Sequence, residues 1–363
     1  MQAQTIKPEG LSMNDPHNML ELRDLKMHFP IRKGIFGQTT GHVKAVDGVS
    51  LEIRNGETFG LVGESGCGKS TIGRCIVRAY NITQGHMLYQ QKSGHVVDLA
   101  HLPANQLRGL RHEIRMIFQD PYSSLNPRMT VFENISEALK ISGTPRSEMQ
   151  ERVAVILRRV GLRQEYMSRY PHAFSGGERQ RIGIARSLIT EPRLIVADEA
   201  VSALDVSVRA QILNLLKELQ DEFQLTYLFI SHDLSVIRHI CDRIAVMYVG
   251  KLVETATGDD LFRQPKHPYT EALLSAVPIT DPLDRGKRSR IRLTGEVADP
   301  SNPPKGCYFH PRCGYAQDRC STEEPESRSK GPDKGIVKCH FSEELNLQGV
   351  IVDDGDHAKV GTR

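Results

Sequence analysis

The chain has no tryptophan, and aromatic residues fill only 6% of its 363 positions. A large aromatic recognition surface is therefore not expected. No apolar run approaches the roughly 18 residues that a membrane-crossing helix needs. If the protein works at a membrane, it must dock on the helices of another chain. Met1 to Gly10 carries no basic segment followed by an apolar one, so no signal peptide is expected. A dominant charge sign is also missing. Lys+Arg number 47 against Asp+Glu 44, a net +3, which leaves no electrostatic footprint of nucleic-acid binding. There is no internal repeat and no tight C-x2-C pair. These absences leave a cytoplasmic globular chain whose length suits two or three domains and whose 39% hydrophobic content suffices for a sizeable core.

What is present begins with Gly63-Glu64-Ser65-Gly66-Cys67-Gly68-Lys69-Ser70-Thr71, which fits G-x-x-x-x-G-K-[ST]. An apolar run holding Phe59, Leu61 and Val62 precedes it, and a helix-compatible run follows to Tyr80. Glycines let backbone N–H groups turn inward around a phosphate, and the helix start adds its positive dipole end. The motif assigns Lys69 to the β- and γ-phosphates and Ser70 to Mg²⁺.

Around this loop the chain divides by pattern. Residues 1–18 read as a flexible lead. Residues 19–260 alternate strand and helix signals as one α/β core. Within it, Pro30 to Gly41 reads as a basic, glycine-containing loop, and about 120–187 as an all-helical insertion. Residues 261–340 lose the pattern to Pro265, Pro268, Pro278 and Pro282, and 299–340 read as a separate Cys-containing module. Residues 341–363 read as a mobile tail.

More chemistry lies downstream. The apolar run from Leu194 ends in Asp198-Glu199, where the Asp can hold Mg²⁺ and the adjacent carboxylate can act on the attacking water. Phe174-Ser175-Gly176-Gly177-Glu178 opens a predicted helix and forms a second anion nest, so ATP would be held from both ends.

In these motifs and their order the chain resembles the nucleotide-binding subunits of ABC transporters over about 19–260. Residues 63–71 match Walker A, and Leu194 to Glu199 match Walker B with its catalytic Glu. Phe174 to Glu178 resembles the LSGGQ signature, with Phe for Leu and Glu for Gln. Ser202-Ala203-Leu204-Asp205 matches the D-loop, Ser231-His232-Asp233 the switch His, and Gln119 the Q-loop. The runs Gln119 to Pro127, Ala203 to Gln211, His267-Pro268-Tyr269-Thr270 and Asn302 to Cys307 are like those of dipeptide/oligopeptide permease ATPases. The resemblance implies a P-loop NTPase core, an antiparallel β subdomain, an inserted helical subdomain and a small C-terminal module.

It also implies an ATPase that energises import of peptides or related solutes from the cytoplasmic face of the plasma membrane. A second, related ATPase subunit would pair with it beneath two permease subunits, with a solute-binding protein outside. The roles carried over are Phe29 for adenine, Gly63 to Thr71 for the phosphates, and Ser70, Gln119 and Asp198 for Mg²⁺. Glu199 is the general base and His232 steadies the γ-phosphate. Ser175, Gly176 and Gly177 would contact the nucleotide of the partner subunit, and Asp205 would lie across the interface. Two departures stand out. Ala200 replaces the usual Pro after the catalytic Glu, and Glu178 adds a negative charge that Arg179 is expected to offset. The reading from another class is an ABC-type clamp of DNA repair or translation, disfavoured by the single cassette and the lack of heptads.

Four of the seven cysteines, Cys307, Cys313, Cys320 and Cys339, crowd into C-x5-C-x6-C-x18-C. Such a set can enclose a 4Fe–4S cluster or one Zn²⁺, or remain as free thiols; the resemblance favours the cluster. His310 is expected to be a loop residue. Cys67 reads as a small residue that fits the loop, and Cys75 and Cys241 as buried structural residues.

Overall fold

Three five-residue runs, Thr58–Val62, Leu194–Asp198 and Thr226–Ile230, are buried at every position. That is the pattern of parallel strands covered on both faces. In the computed structural model, which describes residues 12–33, 38–277, 290–329 and 335–350, they are β3, β7 and β8. The other strands are β1 (Asn18–Lys33), β2 (Gln38–Arg54), β4 (Gln84–Gln90), β5 (Val96–Asp98), β6 (Ile114–Ile117), β9 (Arg243–Tyr248), β10 (Lys251–Thr257), β11 (Arg328–Ser329) and β12 (Ile336–Val337). One sheet runs β2-β1-β4-β5, all antiparallel. The other runs β11-β12-β10-β9-β3-β8-β7-β6, with the five strands from β9 to β6 parallel.

Side chains on a strand alternate between its faces, and here that splits the core in two. Leu194, Val196, Leu228 and Ile230 join the core beneath the antiparallel sheet and helix α1 (Lys69–Ile76). Ile195, Ala197, Tyr227 and Phe229 face the other way, into the core shared with the helices of residues 120–187. The segment 120–187 contains α3 (Pro121–Ser124), α4 (Val131–Ile141), α5 (Arg146–Arg159) and α6 (Gly176–Leu188). The remaining helices are α2 (Ala104–Leu110), α7 (Val206–Phe223), α8 (Leu234–Ile240), α9 (Gly258–Arg263), α10 (Pro268–Ser275) and α11 (Asp318–Thr322).

Four expectations need correction. The stretch Pro30 to Gly41 is not simply a loop. β1 and β2 continue as a ribbon, with Pro30 opposite His42 and Lys33 opposite Gln38. Proline is tolerated there because β4 pairs with β1 only as far as Lys26, so the missing N–H breaks no ladder on that side. The N-terminal lead is anchored before residue 18: Asn14 bonds both carboxylate oxygens of Glu21, and Arg23 donates to the Ser12 carbonyl. The Cys-containing region is not separate, since β12 pairs with β10 and extends the core sheet. Residues 341–350 are not a free tail. Val350 N–H donates to Phe262 O, Gln348 N–H donates to Glu271, and Leu347 is buried. Residues 351–363 lie outside the described residues.

The docking of 341–350 has a measurable consequence. Leu347→Ala should lower unfolding stability by about 2 kcal/mol, the low end for a buried leucine at the margin of a core. A urea titration checks this, and an unchanged midpoint would mean the segment is not packed.

Candidate functional site

The carboxyl ends of the parallel strands gather at one place, the usual location of a ligand crevice in an α/β sheet. β3 leads into Gly63 to Thr71, β6 into Gln119, β7 into Asp198 and Glu199, and β8 into Ser231 and His232. Together Ser65, Gly66, Gly68, Lys69, Ser70, Thr71, Gln119, Glu199 and His232 line an open cleft of about 460 Å³, with Ala45 of β2 on the opposite wall.

The loop closes around its own lysine. Lys69 is 4% exposed, and its Nζ donates to the carbonyls of Gly63 (2.8 Å) and Glu64 (2.9 Å). Two glycines make that path possible. Gly63 has φ of 152° and Gly68 of 108°, and a Cβ would lie 2.1 Å from Met247 O at the first and 2.0 Å from Ala45 O at the second. Cys67 is buried, and its Sγ lies 3.6 Å from Lys69 Nζ. Burial pushes its thiol pKa up against the pull of that lysine, so the residue acts as a packed small side chain. Burial likewise raises Cys75 to about 12, and Cys241 rises well above its ordinary value.

Two short networks follow. Ser70 Oγ donates to Asp198 Oδ1 at 2.7 Å. Burial raises the Asp198 pKa, with the Ser70 hydrogen bond and the Arg74 and Lys69 charges only partly opposing it. Glu199 is held from two sides: Gln119 Nε2 donates to Oε2 at 2.8 Å, and His232 Nδ1 lies 3.2 Å from Oε1. Its backbone is left-handed (φ 48°), which costs a non-glycine residue about 1 kcal/mol, and Glu199 N–H is tied to Ile230 O. Ala200 is buried directly behind it.

Ser175, Gly176 and Gly177 do not line this cleft. Ser175 is the N-cap of α6 and forms a reciprocal capping box with Glu178. The Glu178 charge is therefore spent on the helix start and is not offset by Arg179. Arg179 donates instead to Pro171 O and stacks over the Tyr122 ring at 4.0 Å. Asp205 precedes α7 and makes no capping bond. Phe29 lies outside the cleft lining, edge-on to Tyr80 at 5.4 Å.

Sequence reasoning missed what braces the loop. Arg312 reaches back from the C-terminal region and grips Glu64 with two hydrogen bonds, 2.8 and 3.1 Å. Tyr269 OH accepts the Glu64 N–H at 2.9 Å. The His267-Pro268-Tyr269-Thr270 run could have suggested this brace. His267 is fully buried and caps α10 through Nδ1, held neutral by burial with a pKa near 3. Its backbone N–H is fixed by Glu254.

The four C-terminal cysteines share one small void with His267, His310, Phe309, Tyr315, His340 and Phe341. Burial raises Cys307 to about 12 and Cys313 to about 11, and the neighbouring thiols add to both shifts. His310 Nδ1 bonds Cys307 O, so it braces the loop. Among the described residues, the donor triad whose atoms all fall within 4.8 Å of one another is elsewhere, at His86, Asp98 and His101.

A phosphate loop, a carboxylate-terminated strand one place removed from it and a bracketed glutamate on one parallel sheet define an ATP-binding cassette. The family model described as ABC transporter matches residues 46–202, and the one described as oligopeptide/dipeptide transporter, C-terminal region, matches 253–320. The chain is 52% identical over 325 residues to the oligopeptide transport ATP-binding protein AppF of Bacillus subtilis (strain 168), covering 89% of this chain and 97% of that one. It is 50% identical to the oligopeptide transport ATP-binding protein OppF of Escherichia coli (strain K12), covering 85% of this chain and 92% of that one. Its fold is similar to that of the ATP-binding cassette MJ0796, solved as a dimer in a post-hydrolysis state with ADP and Pi. The TM-score is 0.57 and the identity 27%, over 66% of this chain and 98% of that chain. The chain belongs to the family of oligopeptide/dipeptide ABC transporter ATP-binding subunits. No helix among the described residues is long and apolar enough to cross a membrane.

The buried Asp198 sets a pH test. Its folded carboxyl is harder to ionise than the unfolded one. The penalty is absent below the unfolded pKa, grows as pH rises through the folded value, and is complete above it. Nucleotide-free Asp198→Asn should therefore melt above the wild type at neutral pH, with the gap closing in acid. Differential scanning fluorimetry checks this, and equal melting at every pH would contradict it.

Proposed function

We propose that this chain binds Mg-ATP at the cleft and hydrolyses it in a dimer with a second, related cassette, so driving import of peptides or related solutes. The observation that carries the reading is the convergence of Gln119, Glu199 and His232 beside the Ser70–Asp198 pair. Gly63 to Thr71 cradle the phosphates, with the Lys69 ammonium as the central positive charge. Ser70, Asp198 and the Gln119 amide oxygen are hard oxygen donors suited to Mg²⁺, which neutralises phosphate charge when bound. Glu199 orients and deprotonates the attacking water, and His232 steadies the γ-phosphate. Catalysis is chiefly positioning and electrostatics, so it can be divided between chains.

Ser175, Gly176 and Gly177 serve the partner's nucleotide, and Asp205 lies at the shared interface. Their position away from this chain's own cleft supports that assignment. Phe29, with Tyr80 behind it, serves the adenine. The cassette spans 19–260, with its helical subdomain at about 120–187, and 261–340 form a C-terminal region that adds β12 to its sheet.

A groove of about 330 Å³ beside the Gln119 loop, lined in part by the exposed Phe118 and by Arg115, Glu137 and Arg186, suits a helix of a permease subunit. Two such subunits, with a solute-binding protein beyond them, place this chain on the cytoplasmic face of the membrane. The match of 253–320 to a transporter region counts against a DNA-repair or translation clamp. Cys307, Cys313, Cys320 and Cys339 hold a 4Fe–4S cluster. Four thiols lining one void suit such a cluster, with one Zn²⁺ as the alternative. When bound, such a cluster supplies a rigid thiolate anchor for the C-terminal region.

Glu199→Gln should keep ATP binding and lose turnover by a factor of about 10²–10⁴. Normal steady-state hydrolysis would refute the assignment of the base. Anaerobic purification should give a coloured protein containing iron and sulfide, with the visible absorption lost in Cys320→Ser; a colourless protein with stoichiometric zinc would refute the cluster.

A further inference from the structure

On the antiparallel sheet, His86 of β4 and His101, three residues beyond β5, turn their Nδ1 atoms to the same oxygen, Asp98 Oδ2, each at 2.7 Å. The other oxygen of Asp98 is fully engaged. It accepts the N–H groups of Met87 and Ala100, both at 3.0 Å. The carboxylate is therefore fixed from behind by backbone, with its side chain 7% exposed, and presents one oxygen outward. The two imidazoles are half-exposed, at 49% and 64%, with ring centroids 5.3 Å apart. The turn itself needs only the Oδ1 bonds. It gives no reason for two solvent-facing rings to converge on Oδ2.

We propose that His86, Asp98 and His101 form a binding site for a divalent transition metal of the zinc, cobalt or nickel kind, open to solvent on its remaining positions. Two imidazole nitrogens and one carboxylate oxygen suit these ions, whereas Mg²⁺ and Ca²⁺ favour all-oxygen shells. Around a zinc ion with ligands at about 2.0–2.1 Å, neighbouring donor atoms stand ~3.3 Å apart. The rings must therefore swing outward by a few tenths of an ångström. Both are free enough to do so, while Asp98 stays in place. Each imidazole binds through Nδ1 in its neutral form, keeping the proton on Nε2 toward water. The bound ion ties the strand β4 to the turn after the edge strand β5, and so clamps the outer margin of the sheet.

The test is a Co²⁺ titration of the full-length, nucleotide-free protein, followed by visible spectroscopy. Wild type should take up one equivalent of cobalt with d–d absorption and no thiolate-to-cobalt charge transfer, a band that would mark the cysteine region instead. The His86→Ala/His101→Ala double variant should lose that equivalent while keeping its metal-free melting temperature and its ATPase rate. Both side chains are exposed, so the variant folds. His101→Ala alone should weaken cobalt uptake at least tenfold. Identical cobalt uptake by wild type and the double variant would overturn the proposal, and so would a bound equivalent that carries only the thiolate band.

Discussion

A buried ammonium has to be surrounded by oxygen, and much of this structure follows from meeting that need at Lys69. The oxygens are main-chain carbonyls, those of Gly63 and Glu64. For them to point inward the loop must pass so close to Met247 and Ala45 that only glycine fits at positions 63 and 68. Glu64 must then be held where its carbonyl is useful, and it is: Arg312 grips its side chain and Tyr269 its N–H. One cation thus ties the first parallel strand to the C-terminal region, about 250 residues further along the chain. The family match at 253–320 marks a region that braces the loop beside the cleft through Glu64.

The chemistry of Glu199 depends on a second constraint, the strand order β3-β8-β7-β6. Parallel neighbours end at the same level, so the residues just beyond them share one small volume without any long side chain having to reach. Gln119 and His232 arrive from the strands on either side of β7 and take one carboxylate oxygen of Glu199 each. A displacement of either flanking strand changes what Glu199 holds. Gln119 also leads straight into the loop beside the proposed permease groove, so movement there can be felt at the carboxylate.

That these residues meet in one cleft was legible because they are neighbours in the chain: Gly68, Lys69 and Ser70 are consecutive, as are Asp198 and Glu199. The buried strands were legible because two-sided burial keeps their middle positions apolar and leaves polar residues such as Thr58, Thr226 and Asp198 at the ends. Arg312 was not legible. Its partner lies 248 residues away, and nothing in Pro311-Arg312-Cys313 names a glutamate. The same holds for His86, Asp98 and His101, whose spacing follows no metal motif and which meet only because β4 pairs with β5. In the docked segment 341–350 the apolar residues Phe341, Leu345, Leu347 and Val350 follow neither a helix nor a strand period, and part of its hold is two backbone N–H bonds to Phe262 and Glu271. Glu178 was misread because charge was considered before geometry. At the third position of a helix whose N-cap is serine, a carboxylate satisfies the N-cap N–H and favours the dipole, and needs no arginine.

That last point bears on how two chains could share a site. The Ser175 hydroxyl both accepts the Glu178 N–H and donates to the Glu178 carboxylate. An incoming phosphate oxygen would compete for that same hydroxyl. The capping box therefore keeps the start of α6 ordered before a partner arrives, and leaves the serine exchangeable when it does. Glutamate in place of the usual glutamine strengthens the first effect, because a carboxylate accepts more strongly than an amide. It also sets a negative charge near an anion's approach. The residue thus favours a well-formed helix start at some cost in attraction for the phosphate that the proposed dimer would bring to it.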